Sequence, residues 1–197
     1  MKLKDVAEIY SGQGLRGDAK KNCSDGYQVI QMGDLEAEGS IAWGRLQRMH
    51  FDTVRDFRFV QNGDILFQAK GQINFAVSLG KVKPEVIAGA PLYIIRIKNT
   101  RNILPEYVSW FINQKPAQQH LKRISAGTGI PLINTKNLSS LEIDLPKTAI
   151  QLKIIKIHKL SVKEKQLHKR LQGKRQQLTE ALLLEQLRQS MEKINVG

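Results

Sequence analysis

Residues 147–194 read KTAIQLKIIKIHKLSVKEKQLHKRLQGKRQQLTEALLLEQLRQSMEKI, with no proline and the single glycine Gly173. Within them Leu160, Leu167, Leu171, Leu178 and Leu182 are spaced 7, 4, 7 and 4 apart, and Leu187, Met191 and Ile194 are read as carrying the stripe on. Such intervals return to one face of an α-helix, which turns once every 3.6 residues. At 1.5 Å per residue, a helix over this span reaches about 70 Å. The 146 residues before it are too few to cover such a rod, so its apolar side must meet another chain or a second helix. Two readings follow: one extended helix paired with a twin, in which Gly173 marks a bend or a close helix crossing, or two shorter helices folded back as a hairpin. The absence of any Pro, Asn or Gly cluster favours the single helix.

Residues 1–146 have a different texture, with short apolar runs broken by Gly, Asn, Asp and Pro. Leu3–Ile9 reads as a short opening helix that stops at Ser11-Gly12. Tyr27–Gln31, Ile65–Phe67, Val77–Val82 and Leu92–Ile97 read as strands, the last mostly apolar and therefore central. Pro105 suits the first turn of a helix carrying Val108, Phe111 and Ile112, and a second helical piece runs from Lys115-Pro116 through Leu121 to Ser125-Ala126-Gly127. Leu141–Pro146 alternates and reads as a closing strand. The expected class is α+β: a mixed-sheet domain over 1–146, then a long helix over 147–197.

Charge narrows the partners. Lys plus Arg number 31 against 18 acids, a net +13. From Lys147 onward there are 12 basic residues and four acids, so both parts are basic. Such a balance points to a polyanion, because each cation that displaces a condensed counterion from DNA or RNA releases entropy. Two nucleic-acid readings remain open: a duplex-DNA reader, and a stand-alone RNA- or ribosome-binding protein whose basic helix threads into folded RNA. No apolar run approaches the roughly 20 residues of a membrane span, and the start lacks a signal-peptide core. The single Cys23 excludes an internal disulfide, and a reducing cytoplasm is the expected location.

The motifs that suggest catalysis fail on their neighbours. Gly12-Gln13-Gly14-Leu15-Arg16-Gly17 matches G-x-G-x-x-G, with Asp34 about 20 residues on. The segment 18–26 has no apolar face for a crossover helix, so no dinucleotide is expected, and Asp18 stands where a P-loop needs lysine. Asp64-Ile65-Leu66-Phe67-Gln68-Ala69-Lys70 faintly suggests a metal-dependent nuclease, but Gln68 offers no carboxylate to a divalent ion. His50, His120, His158 and His168 are scattered. Neither metal, cofactor nor catalysis is expected.

Five segments in chain order carry a resemblance. Lys2-Leu3-Lys4-Asp5-Val6-Ala7-Glu8-Ile9-Tyr10-Ser11-Gly12 is similar to the opening of the specificity subunits of type I restriction–modification systems. Asn62-Gly63-Asp64-Ile65-Leu66 resembles their Gly-Asp turn and strand, and Leu104-Pro105-Glu106-Tyr107-Val108 the start of a helix in their target-recognition domain. Gly127–Asn134 through Leu138 and Leu141 is similar to a further conserved-looking segment of theirs, and Leu145-Pro146 with Gln151, Ile154 and Ile155 resembles the start of their spacer helix. Ile150 departs from the acid often found before that glutamine. Typical members also carry two recognition domains and two spacer helices, and this chain resembles one half.

The resemblance implies a non-catalytic subunit that reads duplex DNA and docks two methyltransferase subunits and a restriction subunit. A homodimer through an antiparallel coiled coil would restore two recognition domains and implies an inverted-repeat site. Leu160, Leu167, Leu171, Leu178 and Leu182 are the expected dimer seam. Base readout in the major groove uses Arg, Lys, Asn or Gln from loops. The candidates are Gln13, Arg16, Lys20 and Lys21, then Arg45 and Arg48, then Lys70, Gln72 and Asn74. Thr128, between two glycines, is a candidate phosphate contact.

Overall fold

Leu92–Ile97 alternates between two kinds of apolar neighbour, and this alternation organises the first 155 residues. Ile95 and Ile97 pack with Leu3, Phe67, Val108, Ile112, Leu121 and Ile143, whereas Leu92 and Ile94 pack with Ile30, Leu66, Val77 and Val86. Successive strand residues face opposite sides of a sheet, so this strand is covered on both faces. The structure, a computed structural model, describes residues 1–14, 20–21, 25–36, 39–71, 74–124 and 132–194, the backbone alone at 20–21 and 190–194.

In chain order the elements are α1 (Leu3–Val6), β1 (Ala7–Ser11), β2 (Lys20–Lys21), β3 (Tyr27–Ile30), β4 (Leu35–Glu36), β5 (Ser40–Ile41), β6 (Gln47–His50), β7 (Ile65–Gln68), β8 (Ala76–Ser78), β9 (Val86–Ala88) and β10 (Leu92–Ile97). They are followed by α2 (Pro105–Ile112), α3 (Lys115–Ile124), α4 (Thr135–Ser139) and α5 (Thr148–Ile194). One antiparallel sheet has the order β1-β10-β7-β8. A second has the order β2-β6-β3-β9, with β3 and β9 parallel, and β4-β5 form a small separate ladder. The class is α+β with a long C-terminal helix, as expected, and β10 is an inner strand.

The chain start departs from expectation. Helix α1 ends at Val6, and Ala7–Ser11 forms a strand paired with β10 from Ala7–Ile97 to Ser11–Tyr93. Leu3 and Val6 suit a helical turn, but five ladder pairs with a distant strand override that spacing beyond Val6. Leu141–Pro146 is extended yet forms a single antiparallel bridge, Glu142 with Lys2. The bonds Leu3 N–H to Leu141 O (2.8 Å) and Ile143 N–H to Met1 O (2.7 Å) tie it to the chain start.

The Gly-Asp turn before β7 has a clear physical basis. Gly63 sits at φ +83°, a left-handed conformation that favours glycine. Asp64, 1% exposed, accepts from the Gln61 N–H at 2.7 Å and is ion-paired with Arg96. The turn therefore secures β7 to β10 through side chains as well as through the ladder.

Two compact units are present, Met1–Ile155 and Lys156–Gly197. The first includes the opening turns of α5, where Gln151 is 1% exposed and fully bonded. Its Oε1 accepts from the Leu104 N–H at 2.9 Å, and its Nε2 donates to Asn102 O at 3.0 Å and Pro146 O at 2.7 Å. Ile155 joins the core around α2 and α3.

Candidate nucleic-acid interface

The loop after β1 is placed by a glycine that no other residue can replace without backbone movement. A Cβ on Gly12 would lie 2.7 Å from Ala88 O and 2.8 Å from Gly89 C. This close approach lets Gln13 bridge the end of β9 and the turn after it: Gln13 N–H donates to Ala88 O, and Ala90 N–H to Gln13 O, both at 2.7 Å. The segment just after β1 of one sheet and the end of β9 in the other are thereby joined at Gln13.

The same end of the first sheet carries a second candidate loop. Gly12 N–H donates to Leu92 O at 2.9 Å, and Ala69 N–H donates to Pro91 O at 3.3 Å, so the exits of β1 and β7 flank the start of β10. Lys70 is exposed beside Gly71, whose φ of +130° again favours glycine, and its backbone bridges Leu132. Asn74 is 8% exposed and its Nδ2 donates to Gln68 O at 2.9 Å, so its side chain shapes this loop from within.

The second sheet places the remaining candidates. Lys20 and Lys21 form β2, paired with His50 and Met49 of β6. Arg48, exposed on β6, donates from Nη1 to Gly26 O at 2.7 Å. Arg45 stands apart, ion-paired with Glu36 at 3.7 Å on the surface. Arg16, Gln72 and Thr128 lie outside the described residues, as do Met191 and Ile194 for their side chains.

A further basic–aromatic segment, residues 53–58 between β6 and β7, is not among the candidates expected from the sequence. Gln13 holds it: its Oε1 accepts from Arg58 Nη1, and its Nε2 reaches Thr53 O at 3.5 Å. The guanidinium of Arg58 lies 5.5 Å from the Phe57 ring centroid and that of Arg55 6.0 Å. Phe57 stacks on Tyr10 at 5.1 Å and 19°, and Arg96 lies 5.6 Å from the Tyr10 ring. Burial, then the like charge of Arg55, lowers the Arg58 pKa from its ordinary value. Among the described residues no carboxylate pairs with Arg55 or Arg58. The only signal in the sequence was Arg55-Asp56-Phe57-Arg58 itself, a basic–aromatic tetrapeptide.

Lys156–Gly197 is helical through Ile194, which excludes the hairpin reading. Leu160, Leu167, Leu171, Leu178 and Leu182 are 50–61% exposed. At 3.6 residues per turn they share roughly 60° of arc, whereas Leu187 falls on about the opposite side. Leu187 therefore does not extend the row, contrary to the expectation from spacing. It belongs with Leu183 and Leu184, which are 66% and 67% exposed, in a second apolar strip. Among the described residues no helix is long and apolar enough to cross a membrane, and no group of three His, Cys, Asp or Glu is placed to hold a metal ion.

The sequence model of the family described as type I restriction modification DNA specificity domain matches residues 1–178. The chain belongs to this family. Among solved structures, this specificity domain is similar to a chain from a study of complex assembly and conformational transition of the type I R-M system, at 15% identity and TM-score 0.64, over 88% of this chain and 40% of that one. It is also similar to the HsdS subunit from Thermoanaerobacter tengcongensis, at 14% identity and TM-score 0.58, over 84% and 37% of the two chains. The type I restriction–modification S subunit from M. genitalium matches at 15% identity and TM-score 0.55, over 85% and 39%. At these identities the likeness establishes the fold. The specificity domain spans about two-fifths of the length of each of these chains. No curated protein matches the sequence.

Proposed function

We propose that the chain is a sequence-specific reader of duplex DNA that works as a homodimer and directs methyltransferase and restriction subunits to a bipartite site. It contributes no catalysis of its own, and it acts in the cytoplasm. The observation that carries the dimer is the row from Leu160 to Leu182, each leucine at least half exposed on an uninterrupted helix. Fully burying one leucine is worth about 1.5–3 kcal/mol relative to exposure, so five in one row provide a strong drive to pair. The row itself covers about 33 Å. The whole helix Thr148–Ile194, at about 70 Å, spans about two turns of B-DNA at 34–36 Å each when paired with an antiparallel twin.

Two-fold symmetry then makes the half-sites inverted repeats. Each half-site is read by Lys20, Lys21, Arg45, Arg48 and Lys70, together with Arg16 and Gln72, and Thr128 contacts phosphate. Gln13 holds its loop against the segment that carries Arg58, and Asn74 sets the shape of the β7–β8 loop. The division of labour falls between residues 1–146 as reader and 147–197 as ruler. The family supports this reading over that of an RNA- or ribosome-binding protein.

Selection of bound duplexes from a random library tests it. Enrichment of a gapped inverted repeat is the expected result. No enrichment, combined with tight binding to structured RNA, would overturn it.

A further inference from the structure

Arg55 and Arg58 are three residues apart on a single 3-10 turn, and both guanidinia lie near one ring, that of Phe57. We propose that these two arginines grip phosphates of the duplex backbone, with Phe57 as the fixed platform between them and Gln13 as the residue that orients Arg58. The proposal rests on the reading that this chain binds duplex DNA, and it adds two positioning contacts to the base-reading loops.

Uncompensated charge is the first argument. Arg45 is neutralised by Glu36 and Arg96 by Asp64, but neither Arg55 nor Arg58 has an ion pair among the described residues. The nearby carboxylate of Glu8 accepts from the Tyr10 hydroxyl instead. Of the Arg58 donors, Nη1 is used by Gln13 and Nε is buried with no partner. Asp56 lies on the same turn but forms no ion pair with either arginine, so the two like charges repel each other and an arriving anion relieves that repulsion.

Preorganisation is the second. A column runs from buried Asp64 through Arg96, Tyr10 and Phe57 to the two guanidinia. An arginine already rested on a ring loses less side-chain freedom when it binds, which improves affinity without new contacts. The guanidinium fork of exposed Arg55 also matches phosphate oxygens in pairs, which lysine cannot do. Arg58, with Nη1 on Gln13 and Nε buried, is left Nη2 for a single contact. Position is the third argument. Gln13 follows β1 at the end of the sheet that also carries Lys70, so a backbone held by Arg58 runs beside the proposed readers. An apolar partner is a poorer fit, because the ring between the arginines is only partly exposed.

The test uses the full chain, a duplex carrying the selected site and a scrambled duplex, with affinity followed across potassium chloride concentrations. Each lost phosphate contact lowers the slope of log affinity against log salt by about 0.9. Arg55→Gln removes an exposed side chain that can be lost without unfolding the domain. It is expected to lower the slope by about 1 on both duplexes and leave the preference between them unchanged. Arg55→Gln with Arg58→Gln is expected to lower it by about 2. Unchanged slopes with the selected duplex still bound would overturn the clamp and leave the DNA reading intact. An altered base preference at unchanged slope would overturn it too, by making these residues base readers. Failure of the wild-type chain to bind either duplex would overturn the clamp and the DNA reading together.

Discussion

Arg96 meets Asp64 as a two-pronged pair, Nε to Oδ1 at 2.9 Å and Nη2 to Oδ2 at 2.8 Å. The hydrogen bond to Asp64 raises the Arg96 pKa above its ordinary value despite opposing burial. A third contact, Arg96 Nη2 to Phe59 O at 3.0 Å, uses the same guanidinium to hold the chain just after Arg58. One ion pair thus stabilises the β7–β10 core and the base of the aromatic column.

Breaking that pair should be expensive. Asp64→Ala leaves the Arg96 charge without its partner and the Gln61 N–H without an acceptor, at a cost of about 3 kcal/mol. Urea unfolding of the full chain reads this as a lower midpoint at an unchanged slope.

Glycines two positions apart should behave differently. Gly12→Ala pushes a methyl into the Ala88 carbonyl and should cost about 1–3 kcal/mol through backbone displacement. Gly14→Ala meets nothing within 4 Å and should change stability by less than about 0.5 kcal/mol. Thermal melting of the two variants side by side makes the comparison.

Gln151 should matter for stability more than its place on a basic helix suggests. Gln151→Leu removes three hydrogen bonds and leaves the Leu104 N–H buried without an acceptor, for a loss of about 1–3 kcal/mol. Amide exchange at Leu104 is expected to accelerate.

The leucine row and the opposite strip separate in a dimerisation test. Leu171→Lys with Leu178→Lys should convert the proposed dimer to a single chain in sedimentation, since charges would be buried in the seam. Leu187→Lys, on the far side, should leave the dimer intact. Equal effects from both would contradict the assigned seam.

Acid should weaken the start of the long helix through His158. Partial desolvation, then the charge of Lys165, lowers the pKa of this exposed imidazole below the usual histidine value. The unfolded chain therefore binds this proton more readily than the folded one, so stability is present above the ordinary value and declines as pH falls through the window between the two. His158→Gln should flatten that part of the pH–stability profile.

How much was legible in advance depended on distance along the chain. The long helix was readable because its leucine period is local, and each turn repeats information carried by four residues. The inner position of β10 was readable from its apolar run, and the Gly63-Asp64 turn from a glycine whose φ is positive. The family resemblance was legible for the same reason, in short runs such as Leu3–Gly12 and Leu104–Val108. The spacing of Leu3 and Val6 predicts a helix to Ile9, but β10, some 90 residues away, draws Ala7–Ser11 into a ladder.

The candidate interface divides along the same line. From its residues alone the protein had a basic surface, an apolar helical stripe and loops suited to base edges. Tertiary structure alone decided that Asn74 turns inward, that Gln151 closes the junction, and that Arg55 and Arg58 share one ring. Helical periodicity is written in neighbouring residues, whereas the contact of Phe57 with Tyr10, and of Arg58 with Gln13, exists only after strands far apart in sequence have paired.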